Sequence, residues 1–194
     1  MRRLLPWLAL VPCFAFLGSG CGGGAKAGQP PVTSKQVVAA VTSFDPANLA
    51  ASIGRLDDAS FGDASLATSL KPYLRATDAG KRWAAVYLAA ILIDTKTAAL
   101  LKPALRDRDP ANRALAAGAL ARTGAVDALP VLIEALGSKA MLPYNDPPKP
   151  VASFARGALA ATTGKAFSTA TEWRTWWAKS KGTIRWNGER FVAS

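Results

Sequence analysis

The chain has 194 residues, of which 50% are hydrophobic and 19% charged, as is ordinary for a chain that folds around a core. It contains no histidine, and its two cysteines both lie within the first 21 residues. These absences exclude most hydrolase and metalloenzyme sites, while the formal net charge of +11 favours an anionic partner or surface.

The first residues, MRRLLPWLALVPCFAFLGSGCGGG, have the form of an export signal. Two arginines precede an apolar stretch from Leu4 to Leu17, and small residues follow around Cys21. The stretch contains two prolines and is shorter than the roughly 20 residues that a helix needs to span a bilayer. We therefore predict a signal peptide over residues 1–20 that is removed, not a permanent membrane span.

The segment LGSGC resembles the lipobox of bacterial lipoproteins, with Gly18 where a large aliphatic residue is usual. The resemblance implies that Cys21 is acylated and becomes the first residue of the mature chain, anchored in the cell envelope and facing the periplasm or exterior. The alternative is a secreted soluble protein, with cleavage after the AKA segment at 25–27. The glycine- and proline-rich residues 21–33 are predicted to form a flexible tether.

An internal repeat of thirty-one residues follows the tether. SLKPYL at 69–74 recurs as LLKPAL at 100–105, and GKRWAAVYLAAILID at 80–94 aligns with ANRALAAGALARTGA at 111–125. This register places Arg82 on Arg113. It also aligns three successive leucines, Leu70, Leu101 and Leu132. A period of this length with two apolar helical segments per unit predicts an α-solenoid, in which neighbouring units share one core.

The clearest unit is DPANRALAAGALARTG, with Asp109 as helix cap, Pro110 at the first helical position and Gly124 at the stop. This unit and the following AVDALPVLIEALG resemble HEAT repeats, in particular the short bacterial variety related to phycobilisome-lyase HEAT-like repeats. The resemblance covers roughly residues 45–164 and implies an all-α fold of about three to four helical pairs within residues 34–168. Pro72 and Pro103 would lie inside second helices, where each imposes a kink or a late start.

Four cations of the second helices are candidate partner-binding residues. Lys71 and Arg75 are four residues apart, and Lys102 and Arg106 repeat them one unit later. Stacked units would align them into a basic stripe for an acidic partner. The alternative is a solvated face whose cations lie favourably near helix C-termini.

The insertion KAMLPYNDPPKP at 139–150 interrupts the repeat with four prolines. Insertions in solenoids form loops along one edge, which is often a binding edge. Its candidate contact residues are Tyr144, Asn145 and Asp146. The alternative is a loop without function.

Residues 169–194 are predicted to form a capping helix and a β-hairpin. Trp173, Trp176 and Trp177 share one helix face, and either cover the open end of the solenoid or form an aromatic platform. In TIRWNGERFV an Asn-Gly pair separates two alternating arms, which predicts a hairpin that brings Trp186 back onto the tryptophan helix.

These features favour a non-catalytic, exported, lipid-anchored interaction scaffold of the bacterial cell envelope. The expected partner is another envelope protein or an anionic envelope component, with no nucleic acid, cofactor or metal. One alternative is a module that binds glycan or peptidoglycan through the C-terminal tryptophans. Another is a HEAT-like, lyase-type enzyme in which Asp94, Asp127 or Glu134 supplies acid/base chemistry.

Overall fold

The computed structural model describes residues 33–43, 64–92, 94, 97–143 and 149–193, and these residues are mostly helical. Their α-helices are α1 (Ser34–Ser43), α2 (Ala64–Ser69), α3 (Ala79–Leu92), α4 (Pro110–Arg122), α5 (Ala128–Ala135), α6 (Val151–Thr163) and α7 (Ala170–Ser180). Two 3₁₀ helices cover Tyr73–Arg75 and Ala98–Arg106. The strands are β1 (Met141–Leu142), β2 (Lys149–Pro150), β3 (Ile184–Trp186) and β4 (Phe191–Ala193).

Several features predicted from the sequence lie outside the described residues. They are the signal peptide, the tether up to residue 32, and the residues Cys21, Tyr144, Asn145 and Asp146.

Helices α3 and α4 begin in the same way, thirty-one residues apart. The Asp78 carboxylate accepts a hydrogen bond from the Lys81 backbone N–H at 2.8 Å, and the Asp109 carboxylate accepts one from the Ala111 N–H at 2.8 Å. These bonds satisfy backbone donors that have no partner inside the helix. Pro110 occupies the first position of α4, where a missing N–H costs nothing.

In the first two pairs the second helix is partly or wholly 3₁₀ instead of the α-helix that the sequence suggested. Residues 67–75, which align with Ala98–Arg106, begin in α2 and end in the 3₁₀ helix Tyr73–Arg75, whereas Ala98–Arg106 is 3₁₀ throughout. Pro72 immediately precedes the helix Tyr73–Arg75, and Pro103 lies inside Ala98–Arg106. A proline in a helix interior lacks the N–H for the α-helical bond and clashes with the carbonyl four residues earlier. Pro130 instead lies in the first turn of α5, which remains α-helical because that turn lacks N–H partners anyway.

The units share one continuous hydrophobic core. Leu70, Leu101 and Leu132, which the thirty-one-residue period aligns, each have 0% exposure and belong to the same cluster. Helix α4 lies at the centre, because it packs against α3, the second 3₁₀ helix, α5 and α6. Its many alanines allow this close packing on several sides.

Gly118 allows α6 to approach α4 closely, since a Cβ atom at this position would lie 2.8 Å from Cζ of Phe154. The chain enters α6 from the antiparallel pair β1 and β2, which the sequence did not predict. After α7 the predicted hairpin is present, with β3 antiparallel to β4 and Trp186 paired with Phe191. Within the described ranges no helix is long and apolar enough to cross a membrane.

Candidate functional site

Two arginines in equivalent positions bind backbone carbonyl groups in the turns before their own helices. Arg82 is buried, and its Nε donates to the Asp107 carboxylate at 2.8 Å while its Nη1 donates to the Ala76 carbonyl at 2.7 Å. Arg113, thirty-one residues later, donates from Nη1 to the Asp107 carbonyl at 2.9 Å. Both arginines therefore hold the carbonyl six residues before them, and neither is free for a partner.

The thirty-one-residue repeat aligned these two arginines but did not indicate which groups their side chains bind. The Arg82–Asp107 pair is intramolecular and nearly excluded from water, with side-chain exposures of 6% and 4%. An arginine and an aspartate twenty-five residues apart gave no local pattern that could have identified the pair before the fold was known.

The four predicted partner-binding cations are all exposed. Lys71 lies in the turn before the first 3₁₀ helix and Arg75 ends that helix, while Lys102 and Arg106 lie in the second 3₁₀ helix. Lys102 lies 4.0 Å from Asp127, and both side chains are more than half exposed, so this pair is weak. Among the described residues, no carboxylate lies within ion-pair distance of the other three cations.

The 3₁₀ geometry changes how these cations are arranged. A 3₁₀ helix has three residues per turn, so side chains four residues apart differ in direction by about 120°. Lys102 and Arg106 therefore do not lie one above the other, as they would on an α-helix. The repeat still relates Lys71 to Lys102 and Arg75 to Arg106, and their alignment into a stripe stays a prediction.

The next unit ends this basic surface. Ile133 occupies the position equivalent to Lys102 and is buried, and Gly137 occupies that of Arg106. Glu134 lies 3.7 Å from Arg113 through its carboxylate, which adds negative charge at the boundary. The predicted basic surface is therefore confined to the two 3₁₀ helices and the turn before the first of them.

Residues 67–141 match the family model of HEAT repeats. The matched segment contains both 3₁₀ helices, the capped helices α3 and α4, and helix α5. No curated protein and no solved structure matches the chain. HEAT repeats generally act as protein-interaction scaffolds and are typically non-catalytic.

Beyond the segment that matches HEAT repeats, the tryptophans form two separate clusters. Trp173 is buried, its indole N–H donates to the Phe167 carbonyl at 3.2 Å, and its ring meets Trp176 edge-on at 5.6 Å. Trp176 and Trp177 are half-buried, with ring centroids 6.4 Å apart. Such a buried, hydrogen-bonded Trp173 suits a packing role, and leaves only its two neighbours partly accessible to a ligand.

Trp186 was expected to lie against the tryptophan helix. The structure places its ring against the end of α4. A Cβ atom at Gly124 would lie 2.6 Å from Cγ of the Trp186 ring, so the ring rests directly on the glycine backbone. On the hairpin, Trp186 meets Phe191 edge-on, with ring centroids 4.9 Å apart. The hairpin thereby covers the C-terminal end of the central helix.

The three carboxylates considered for acid/base chemistry, Asp94, Asp127 and Glu134, contact a threonine or a basic side chain. Asp94 accepts hydrogen bonds from the backbone N–H and the hydroxyl of Thr97, which form a local turn. Asp127 and Glu134 face Lys102 and Arg113, as described above. In the part of the chain that the structure describes, no group of three or more potential ligand residues could hold a metal ion.

Proposed function

We propose that this chain is a non-catalytic interaction scaffold of the bacterial cell envelope. The signal peptide at residues 1–20 directs export, and an acyl group on Cys21 anchors the mature chain to a membrane. The lipobox-like segment LGSGC supports the anchor, and the general role of HEAT repeats as protein-interaction scaffolds supports the function.

The observation that carries the proposal is the contrast between two sets of basic residues in the HEAT repeats. Arg82 is buried in an ion pair, whereas Lys71, Arg75 and Arg106 are exposed at repeating positions with no carboxylate within 4 Å among the described residues. Exposed charge that the protein does not neutralise raises the association rate with an acidic surface. An acidic face of another envelope protein is the partner that fits this surface.

Crosslinking in intact cells, followed by affinity capture of the chain, tests the scaffold. The key variant changes Lys71, Arg75, Lys102 and Arg106 to Glu. We expect a specific crosslinked protein whose capture weakens with salt and is lost in this variant, because repulsion replaces attraction at four sites.

A matched control changes four other exposed cations to Glu. It carries the same change in net charge at Lys35, Arg174, Lys179 and Lys181, which lie outside the predicted surface. Capture should survive in this control. Equal loss in both variants, or capture that ignores both salt and the key substitutions, would refute the assigned surface.

The lipid anchor has its own test. Cells grown with an alkyne-bearing fatty acid should label the wild-type chain and leave the Cys21→Ser variant unlabelled. The wild-type chain should fractionate with membranes and the variant should be released. An unlabelled wild-type chain in the soluble fraction would instead favour the secreted alternative.

A further inference from the structure

The C-terminal unit, residues 149–193, carries most of the unbalanced positive charge of the described chain. It contains only two carboxylates, Glu172 and Glu189, within 45 residues. Its eight cations are Lys149, Arg156, Lys165, Arg174, Lys179, Lys181, Arg185 and Arg190, and all except the half-buried Lys149 are exposed. A charge of +6 in so short a segment creates a strong local field.

None of these eight cations forms an ion pair with another described residue. The three ion pairs in the described ranges all lie between residues 82 and 134. Glu172 is also occupied, because its carboxylate accepts the Thr169 hydroxyl and the Thr169 backbone N–H, each at 2.8 Å. The fold therefore leaves the charge of the unit exposed instead of neutralising it.

Two of these cations, Arg185 and Arg190, lie close to an exposed apolar side chain on the hairpin. Arg185 lies opposite Val192 in the β3–β4 pair, and Val192 is one of two large hydrophobic side chains that are exposed among the described residues. Arg190, on the other side of the buried Phe191 in the sequence, is also exposed. We call Lys165, Arg185, Arg190 and Val192 the hairpin patch.

Arg190 connects the hairpin to Lys165. Its Nη1 lies 3.1 Å from where a Cβ atom of Gly164 would be, and Gly164 ends α6 directly before Lys165. The guanidinium thus lies at a helix C-terminus, where a cation is favoured. This contact places the Arg190 guanidinium against the residue that directly precedes Lys165.

We propose that the hairpin patch docks onto a lipid surface that contains anionic phospholipids. Long basic side chains around one apolar side chain suit a membrane interface, where the charged ends meet phosphate groups and the apolar group enters the acyl boundary. Anionic headgroups also diffuse laterally and can match a spread-out set of cations, whereas a protein partner must match it with fixed charges. The inference rests on other residues than the scaffold proposal and does not require the acyl anchor.

The test measures cosedimentation of residues 22–194 with lipid vesicles. The described core extends from Val41 to Phe191, so this chain retains all of it while lacking the apolar leader. We expect binding to vesicles of phosphatidylcholine and phosphatidylglycerol that weakens with salt, and no binding to phosphatidylcholine alone.

A triple variant, Lys165→Gln, Arg185→Gln and Arg190→Gln, locates the binding surface. Each removed charge should weaken binding about fivefold, so the triple variant should bind on the order of 100-fold more weakly. The control variant Lys71→Gln, Arg75→Gln and Arg106→Gln makes the same change in net charge on the HEAT repeats and should retain nearly full binding.

Circular dichroism and thermal unfolding check that both variants fold. If the triple variant does not fold, the double variant Lys165→Gln, Arg185→Gln replaces it, since both side chains are exposed and the contact of Arg190 with Gly164 is kept; it should lose binding about 25-fold. No binding to anionic vesicles at low salt overturns the proposal, as does an equal loss in the patch and control variants. Binding to polyglutamate but not to anionic vesicles also overturns it and indicates an acidic protein partner.

Discussion

The contact between Gly124 and Trp186 makes the clearest prediction about stability. Gly124 ends α4 with φ at 86°, and its backbone N–H donates to the Ala121 carbonyl while that of Ala125 reaches back to Leu120. This is the hydrogen-bond pattern of a Schellman motif, whose left-handed position favours glycine. The indole of Trp186 then lies where a side chain at residue 124 would be.

Replacing Gly124 by Ala perturbs both features. The left-handed conformation costs about 1 to 2 kcal/mol for a residue with a Cβ atom. The new methyl would lie 2.6 Å from Cγ and 2.7 Å from Cδ1 of Trp186, well inside the usual carbon contact of about 3.5 to 4 Å. Moving the ring away disturbs its packing on Phe191, and overpacking of this kind costs about 1 to 3 kcal/mol.

The sum is about 2 to 5 kcal/mol of unfolding free energy, which urea denaturation monitored by circular dichroism would measure. In a Trp186→Ala background the steric part disappears, so Gly124→Ala should then cost only about 1 to 2 kcal/mol. Two matched glycines separate the contributions. Gly188→Ala tests the backbone alone, because φ is 98° and nothing lies within 4 Å, whereas Gly157→Ala in α6 meets neither problem and should stabilise by up to about 1 kcal/mol.

The reasoning would be refuted by either of two results. One is that Gly124→Ala destabilises no more than Gly188→Ala. The other is that its effect is the same with and without the Trp186 ring, which would mean that the hairpin does not rest on the end of α4.

Three further predictions follow from buried or hydrogen-bonded polar groups. Asp107→Ala leaves Arg82 buried without its carboxylate and should lower the unfolding free energy by about 3 to 5 kcal/mol, whereas the double variant with Arg82→Met should lose less; an equal loss in urea denaturation would contradict this. Asn112 is fully buried and its amide has no hydrogen-bond partner among the described residues, so Asn112→Val should raise the unfolding free energy by about 1 to 2 kcal/mol. The urea midpoint should rise accordingly, and a lower midpoint would contradict this. Hydrogen bonds from the Thr169 hydroxyl and backbone lower the pKa of Glu172. The stability that this carboxylate contributes is therefore complete above its unfolded pKa and is lost as the pH falls through the folded pKa. In an NMR titration Thr169→Ala should raise the pKa of Glu172, and an unchanged pKa would count against the capping box.

The repeat and its core could be predicted from the sequence because burial restricts the residue types that fit. Leu70, Leu101 and Leu132 must fill equivalent spaces, so the same residue recurs at the same interval and the period is visible. The helix caps Asp78 and Asp109 are recognisable for a different reason. Each binds a backbone N–H within three residues of itself, so the signal is local in the sequence.

The form of the second helices could be predicted only in part. Pro72 and Pro103 indicated a disturbance, but a kink, a late start and a 3₁₀ helix all avoid the missing N–H and the clash. The choice among them depends on how the neighbouring helices pack. It matters for the candidate site, because Lys102 and Arg106 share a face in an α-helix and differ by about 120° in a 3₁₀ helix.

Surface residues are harder to interpret, because nothing inside the protein restricts them. The position of Trp186 on Gly124 is one example: the sequence predicted the hairpin from its Asn-Gly turn, but the turn contains no information about which helix end the ring covers. Exposed cations are another, since a lysine on a solvated face and one on a binding face have the same local sequence.

The ion pairs of the two equivalent arginines differ, and the difference falls where the thirty-one-residue repeat ends. Arg82 reaches Asp107 in the following unit, so the equivalent partner for Arg113 would lie at position 138, which is Ser138. Arg113 instead faces the exposed carboxylate of Glu134 at 3.7 Å, a weaker contact than the buried pair at 2.8 Å. The insertion at 139–150 starts directly after this lost partner, and the unneutralised C-terminal unit follows it. The buried ion pair is therefore lost where the sequence departs from the thirty-one-residue period, and none of the eight cations in residues 149–193 pairs with a described carboxylate.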